Sequence, residues 1–213
     1  MADYHGAVQA DGYAGYNELF KTNGIVHVAC MAHVRRKIFE ARDENPEGAQ
    51  LLLAGIQRLY RIERGARREG IKGEQLLELR SREPRRILGV LGDTLAGLQH
   101  TVLPKSGFGR AVNYAVGQWP SILHYTEIAE AELDNNGCES AIRPVALGRK
   151  NWLFAGSKSG GHRAAILFSL VTTAKQLEIE PQAYLADVIA CIGSHKMSRI
   201  GELTPRGWKE GRA

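Results

Sequence analysis

The chain has 213 residues, and 28 Lys and Arg against 23 Asp and Glu give a formal net charge of +5. That length suits one large domain or two small ones, and 44% hydrophobic with 24% charged residues argues against disorder, collagen-like repeats and coiled-coil composition. Three widely spaced cysteines without a secretory signal argue against a disulfide framework, and no apolar run approaches the roughly 20 residues of a membrane span, so a cytoplasmic chain with no membrane partner is expected.

Charge is blocked along the sequence: −2 over residues 1–34, +5 over 35–90, −4 over 91–140 and +6 over 141–213. Residues 6–11, Gly-Ala-Val-Gln-Ala-Asp, read as a short strand ending in an acidic residue. A turn at Gly12 to Gly15 and a short helix through Leu19 and Phe20 follow. Ile25 to Cys30 reads as a second, β-branched strand. From Met31 the spacing of Val34 and Ile38 predicts a helix, with Arg35, Arg36 and Lys37 between them. Residues 46–125 read as all-helical, with apolar faces at Leu52, Ile56, Leu59 and Tyr60, at Ile87, Leu91, Leu95 and Leu98, and at Phe108, Val112, Val116 and Trp119. Pro46, Pro84, Pro104 and Pro120 are expected at or near the breaks. A helix is expected after Asp134, then a loop rich in Gly and Lys around 156–161, then helices at about 162–178 and 181–193. Two strands alone are marginal in water and need further strands or helix packing to hold.

Asp11 sits at the predicted carboxyl end of a strand, where open α/β sheets place catalytic groups, although Asp-Gly is also a plain turn dipeptide. Glu139 lies near a helix start, where it serves either a function or a capping box with Asn136. Carboxylates gathered by a fold are what two Mg²⁺ ions need to clamp a phosphodiester, and two are a thin supply. Cys30 and His33 form a lone C-x-x-H; no second pair stands at finger-like spacing, so zinc is not expected, and a buried Cys with a His at a helix start is the favoured reading.

Between residues 143 and 163, five basic residues (Arg143, Arg149, Lys150, Lys158, Arg163) surround Trp152, Phe154 and several glycines. Basic groups neutralise phosphates, an aromatic stacks on an exposed base, and glycine lets backbone N–H groups approach a phosphate. The alternative is a solvated basic loop with Trp152 and Phe154 tucked into a core. Arg35 and Arg36 are further candidates for contact with DNA backbone, whereas Arg58, Arg61, Arg64, Arg67 and Arg68 read better as a solvated helix face.

Three stretches carry a resemblance. Gln9-Ala-Asp-Gly-Tyr-Ala-Gly-Tyr-Asn17, Val28-Ala-Cys-Met-Ala-His-Val-Arg-Arg-Lys37 and Leu133-Asp-Asn-Asn-Gly-Cys-Glu-Ser-Ala-Ile-Arg-Pro-Val-Ala-Leu-Gly-Arg-Lys-Asn-Trp-Leu-Phe-Ala-Gly-Ser157 resemble, in order and spacing, the transposases of the insertion-sequence 66 family. The likeness runs from about residue 8 to about residue 200. It implies a ribonuclease-H-like core of the retroviral-integrase kind with a DDE triad, which binds Mg²⁺ (or Mn²⁺) and performs DNA cleavage and strand transfer at transposon ends. Asp11 matches the second acidic residue of the triad and Glu139 the third; Cys30 and His33 match the family's C-x-x-H. Two departures stand out: Ser140 where relatives usually carry Arg, and a carboxyl-terminal Ile200 to Trp208 that only partly follows the usual ending.

The expected fold class is therefore α/β and mainly helical. Residues 1–45 form part of the ribonuclease-H-like core, 46–125 a large helical insertion, 126–178 the final catalytic helix and basic loop, and 179–213 a carboxyl-terminal helix and tail. The first Asp of the triad lies, in the family, upstream of anything present here, so the chain alone is expected to be catalytically incomplete. Its expected partners are DNA, with nucleoid association when bound, and further copies of itself or other transposition proteins. The alternative is a non-catalytic DNA-binding or complex-forming fragment.

Overall fold

The computed structural model describes residues 4–21, 24–152 and 155–211, the side chains of Arg149 and Trp152 excepted. In chain order the elements are β1 (Gly6–Ala10), α1 (Asn17–Phe20), β2 (Ile25–Ala29), α2 (Met31–Glu40), α3 (Pro46–Arg68), α4 (Gly73–Ser81), α5 (Glu83–Thr101), α6 (Gly107–Leu123), α7 (Asn136–Trp152), α8 (Lys158–Gln176), α9 (Pro181–Cys191) and α10 (Pro205–Glu210). The chain is mainly helical, as expected, and divides into two compact units, residues 1–137 and 138–213.

In the first unit β1 and β2 pair in parallel, in register from Gly6↔Ile25 to Ala10↔Ala29. Among the described residues the sheet has these two strands. What holds so small a sheet is helix packing. Val28 and Ala29 are buried and belong to the same core as Met31, Val34 and Ile38 of α2, Leu52, Ile56 and Leu59 of α3, Leu88, Leu91 and Leu95 of α5, and Phe108 and Val112 of α6. Each of these Val, Leu, Ile, Met or Phe side chains contributes about 1.5–3 kcal/mol when fully buried, so the helices between residues 46 and 123 supply most of the apolar burial that keeps the strands in place.

Helix starts are fixed by local polar contacts. The Asn45 side chain accepts the Gly48 N–H at 2.9 Å, with Pro46 at the first helical position. Ser106 accepts the Gly109 N–H at 2.9 Å, and Glu44 reaches across from the turn after α2 to accept the Phe108 N–H at 2.9 Å. Pro46 and Pro84 stand in first turns, Pro104 in the connection before α6, and Pro120 in the last turn of α6, three residues before it ends. The last turn survives the missing N–H because Ile122 and Tyr125 beyond it are both 1% exposed and anchored in the core.

Arg80 on α4 is the largest fully buried side chain, 2% exposed. Its guanidinium forks onto the Glu63 carboxylate at 2.8 and 2.9 Å, donates to the carbonyls of Tyr125 and Ile128 at 2.9 and 3.0 Å, and stacks 4.9 Å from the Tyr125 ring centroid. One side chain thus ties α3 and α4 to the segment that runs toward Asp134.

In the second unit α8 begins at Lys158, four residues before the start expected at 162. The Ser157 hydroxyl accepts the Gly160 N–H at 3.0 Å, so the glycines that suggested a loop sit in a capped first turn. Ala174, Ile179, Tyr184 and Val188 form a small core with Leu203 and Trp208 against it. The Tyr184 hydroxyl donates to the Leu203 carbonyl at 2.7 Å and the Trp208 indole to Asp187 at 2.7 Å, which fastens the carboxyl-terminal tail back onto α9. An open groove of about 880 Å³ runs between α7 and α8, with Ile142, Val145, Ala165 and Phe168 in its walls.

Candidate active site

Asp11 directly follows β1, and its neighbour across the register is Cys30, directly after β2. Both residues stand at the carboxyl edge of a parallel pair, where side chains face outward from the end of the sheet. One Asp11 oxygen accepts the Tyr13 N–H at 3.2 Å, an Asx-type turn that fixes the carboxylate, and the other lies 3.9 Å from Nε2 of His33. The Asp11 side chain keeps 37% of its exposure and His33 18%, so the pair is reachable from solvent. The turn reading and the functional reading of Asp11 are thus not alternatives: the turn is what aims the carboxylate.

Gly12 lies in close contact with α6. A Cβ there would lie 3.0 Å from the Tyr114 ring and hydroxyl and 3.1 Å from the Gln118 amide, so α6 packs directly against the turn after β1. Burial raises the Tyr114 hydroxyl above its ordinary pKa, and Lys37 of α2 sits 4.7 Å over the ring. On the other flank, the His27 ring stacks on Phe20 at 3.9 Å, the His27 carbonyl pairs with Nδ1 of His124 at 2.7 Å, and burial lowers the His27 pKa.

The Cys30 thiol is 2% exposed and burial pushes its pKa up, while its sulfur accepts the Asn135 N–H at 3.4 Å. This is the buried cysteine that the C-x-x-H reading favoured. Its work is to draw in the loop before α7: the Met31 N–H donates to the Leu133 carbonyl at 3.0 Å, and the Tyr60 hydroxyl of α3 donates to Asp134 at 2.7 Å. Burial first, then the Asp134 carboxylate beside it, raises the Tyr60 pKa well above the usual phenol range. The second Asp134 oxygen accepts the Asn136 N–H at 3.0 Å. Asn136 is the first helical residue of α7, and the Asp134 carboxylate, held by the Tyr60 hydroxyl, closes an Asx-type turn on the Asn136 N–H just ahead of the helix. Glu139 stands exposed in the first turn of α7, as expected.

Tyr60, Tyr114 and Asp134 were not singled out by sequence reasoning as parts of the site. Tyr60 and Asp134 are separated by 74 positions, and only the fold brings them together. The Asp-Asn-Asn run ahead of a helix was the one available signal for Asp134.

Of the basic candidates, Arg143 and Lys150 are exposed on α7, seven residues and about two turns apart and hence on one face. Lys158 and Arg163 are exposed on α8, where Arg163 is braced by the Ser159 hydroxyl at 3.1 Å. Arg35 and Arg36 are exposed on α2, with Arg35 6.0 Å from the Phe39 ring. The side chains of Arg149 and Trp152, and all of Phe154, lie outside the described residues, so the stacking role and the buried alternative offered for the two aromatics find no test there. Arg58, Arg61, Arg64, Arg67 and Arg68 are exposed along α3, the solvated face expected of them, with Arg58 paired to Glu83 and Arg67 to Glu132.

The sequence pattern of the Transposase IS66 family matches residues 1–163, about three quarters of the chain. The chain belongs to the IS66 transposase family. The pattern of the IS66 C-terminal element matches residues 169–206, within the second unit. Among similar proteins, one from Sinorhizobium fredii (strain NBRC 101917 / NGR234), described as Uncharacterized protein y4hP, is 33% identical over 230 residues, covering 100% of this chain and 41% of that protein. A second from the same organism, Uncharacterized protein y4jD, is 30% identical over 98% of this chain and 42% of its own length. This IS66-family chain thus spans about two fifths of the length of the curated relatives it matches. No solved structure matches it. Among the described residues no helix is long and apolar enough to cross a membrane.

Proposed function

We propose that this IS66-family chain takes part in metal-dependent DNA cleavage and strand transfer at the ends of an insertion sequence, on a ribonuclease-H-like core in which Asp11 and Glu139 are two of the metal-holding carboxylates. The observation that carries the reading is Asp11 itself: a solvent-reachable carboxylate at the carboxyl edge of a parallel strand pair, aimed by the Tyr13 N–H. Hard oxygen donors of this kind fit Mg²⁺ or Mn²⁺. A divalent cation bound there supplies charge neutralisation at the scissile phosphate.

The residues of the chain perform the rest. Asp11 and Glu139 would hold the cation, the former kept in place by the Asx-type turn onto the Tyr13 N–H. Asp134 and Tyr60 fix where α7 begins, and so the register of Glu139 on that helix. Arg143 and Lys150 offer a doubled positive face to the DNA backbone, supported by Lys158 and Arg163 on α8 and by Arg35 and Arg36 on α2; such contacts position DNA without reading its sequence. Strand transfer needs ends brought together, which makes a second copy or another transposition protein the natural partner.

The test uses transposon-end DNA with Mg²⁺ or Mn²⁺, on this chain and on the full-length y4hP relative changed at the residues that align with Asp11 and Glu139. Carboxylate-to-amide changes there are expected to cut strand transfer by a hundredfold or more while DNA binding persists; unchanged transfer overturns the assignment. Binding of the chain to DNA is expected to weaken steeply with salt, with the log–log slope falling by about 0.9 for each basic residue removed that touches a phosphate.

A further inference from the structure

We infer that His33 is a nitrogen ligand of the same cation that Asp11 holds, which makes this centre selective for Mn²⁺ over Mg²⁺. The inference rests on the reading of Asp11 as a metal-holding carboxylate. Nε2 of His33 faces Oδ2 of Asp11 at 3.9 Å, too far for a direct hydrogen bond, which needs about 2.7–3.2 Å. Two donors about 2.1 Å from one cation stand about 3.0 Å apart when adjacent and about 4.2 Å apart when opposite, so 3.9 Å lies within the span that a shared ion requires.

The backbone fixes this juxtaposition. Asp11 leaves β1 one residue after the register pair Ala10↔Ala29, and His33 sits in the first turn of α2, which starts two residues after β2 ends. Val34, the next residue, is 1% exposed in the core, which locks the rotation of α2 and with it the face that carries His33. The carboxylate is anchored independently by the Tyr13 N–H. Both donors are therefore preset, and both retain access to solvent, as an exchangeable ion needs.

Cys30 is the competing donor in the C-x-x-H, and its surroundings direct it elsewhere. Its sulfur accepts the Asn135 N–H and its thiol is buried, which holds it to the loop before α7. Within the C-x-x-H that leaves the His33 imidazole as the nitrogen donor beside the carboxylate of Asp11. A nitrogen donor is softer than the all-oxygen shell that Mg²⁺ demands and tilts the centre toward first-row transition ions, of which Mn²⁺ also accepts carboxylate.

The test is Mn²⁺ binding to the purified chain, followed by the electron paramagnetic resonance of the free ion, with Mg²⁺ as competitor and pulsed detection of ¹⁴N coupling to bound Mn²⁺. The wild-type chain is expected to show imidazole nitrogen coupling, a readout that depends on no variant. His33→Gln should remove the coupling and weaken Mn²⁺ binding about tenfold or more, while Mg²⁺ affinity moves less than twofold. Nitrogen coupling absent from the wild type, or retained in His33→Gln, overturns the inference. If Asp11→Asn lowers Mn²⁺ affinity while His33→Gln leaves it unchanged, the inference fails and the assignment of Asp11 stands; if Asp11→Asn leaves Mn²⁺ binding intact, that assignment falls first and the inference with it. Circular dichroism of each variant separates loss of a ligand from loss of fold.

Discussion

Arg80 shows how much a single buried charge decides in this chain. With Glu63 14% exposed and Arg80 2% exposed, the pair is held by two short hydrogen bonds and two backbone carbonyls. Removing one partner leaves the other charge buried and uncompensated, which costs about 3–5 kcal/mol, whereas replacing both by apolar residues of similar volume costs far less. Arg80→Met and Glu63→Leu are each expected to lower the urea-unfolding free energy by that amount, with the double variant recovering much of it. His27 sets a second test. Its folded pKa lies below the ordinary 6.5 because burial disfavours the charged ring. Between the folded value and 6.5 the unfolded chain binds more protons, so stability rises with pH there and is lost as pH falls below about 6.5. His27→Gln is expected to flatten the decline in unfolding midpoint between pH 7 and pH 5.5; an unaltered slope assigns the effect to other groups.

At the level of elements, local chemistry was legible wherever the chain writes it within a few residues. The strand before Asp11 follows from the turn residues after it, the Ile25 strand from its β-branched residues and the helix through Val34 and Ile38 from i, i+4 spacing, and the structure places them within a residue of the expected bounds. What spacing cannot carry is a partner 64 or 74 positions away, which is why Glu44 at the start of α6 and Tyr60 on Asp134 went unseen. The glycines at 160–161 misled for the opposite reason: each is a breaker by local propensity, and a cap ahead of Gly160 outweighs that propensity. The cap carries its own expectation. Ser157→Ala should cost about 0.5–2 kcal/mol and shorten α8 from its amino end, read as reduced amide protection at Gly160 and Gly161, whereas Ser157→Asn should retain both. Of the candidate site, Asp11 was legible at a strand end, Glu139 near a helix start and Cys30 with His33 as a lone C-x-x-H, but their joint role came only with the family pattern; the tyrosines around them were legible in no pattern, because they come from α3 and α6, and nothing in those helices' spacing marks a tyrosine as facing a turn.

Across the whole molecule, the blocked charge noted at the outset falls onto the two units unevenly: the excess of basic residues after position 140 lies in the second unit, and that unit also carries the match to the IS66 C-terminal element. Its interior is slight. Ala174, Ile179, Tyr184 and Val188 are its buried hydrophobic cluster among the described residues, while Ile142, Val145, Leu147, Ile166 and Leu167 remain more than 40% exposed along α7 and α8. The heat capacity of unfolding scales with apolar surface that folding hides. A calorimetric trace of the chain therefore belongs almost wholly to the first unit, and a melting temperature measured on it describes the scaffold of Asp11 while saying little about the helix that presents Glu139.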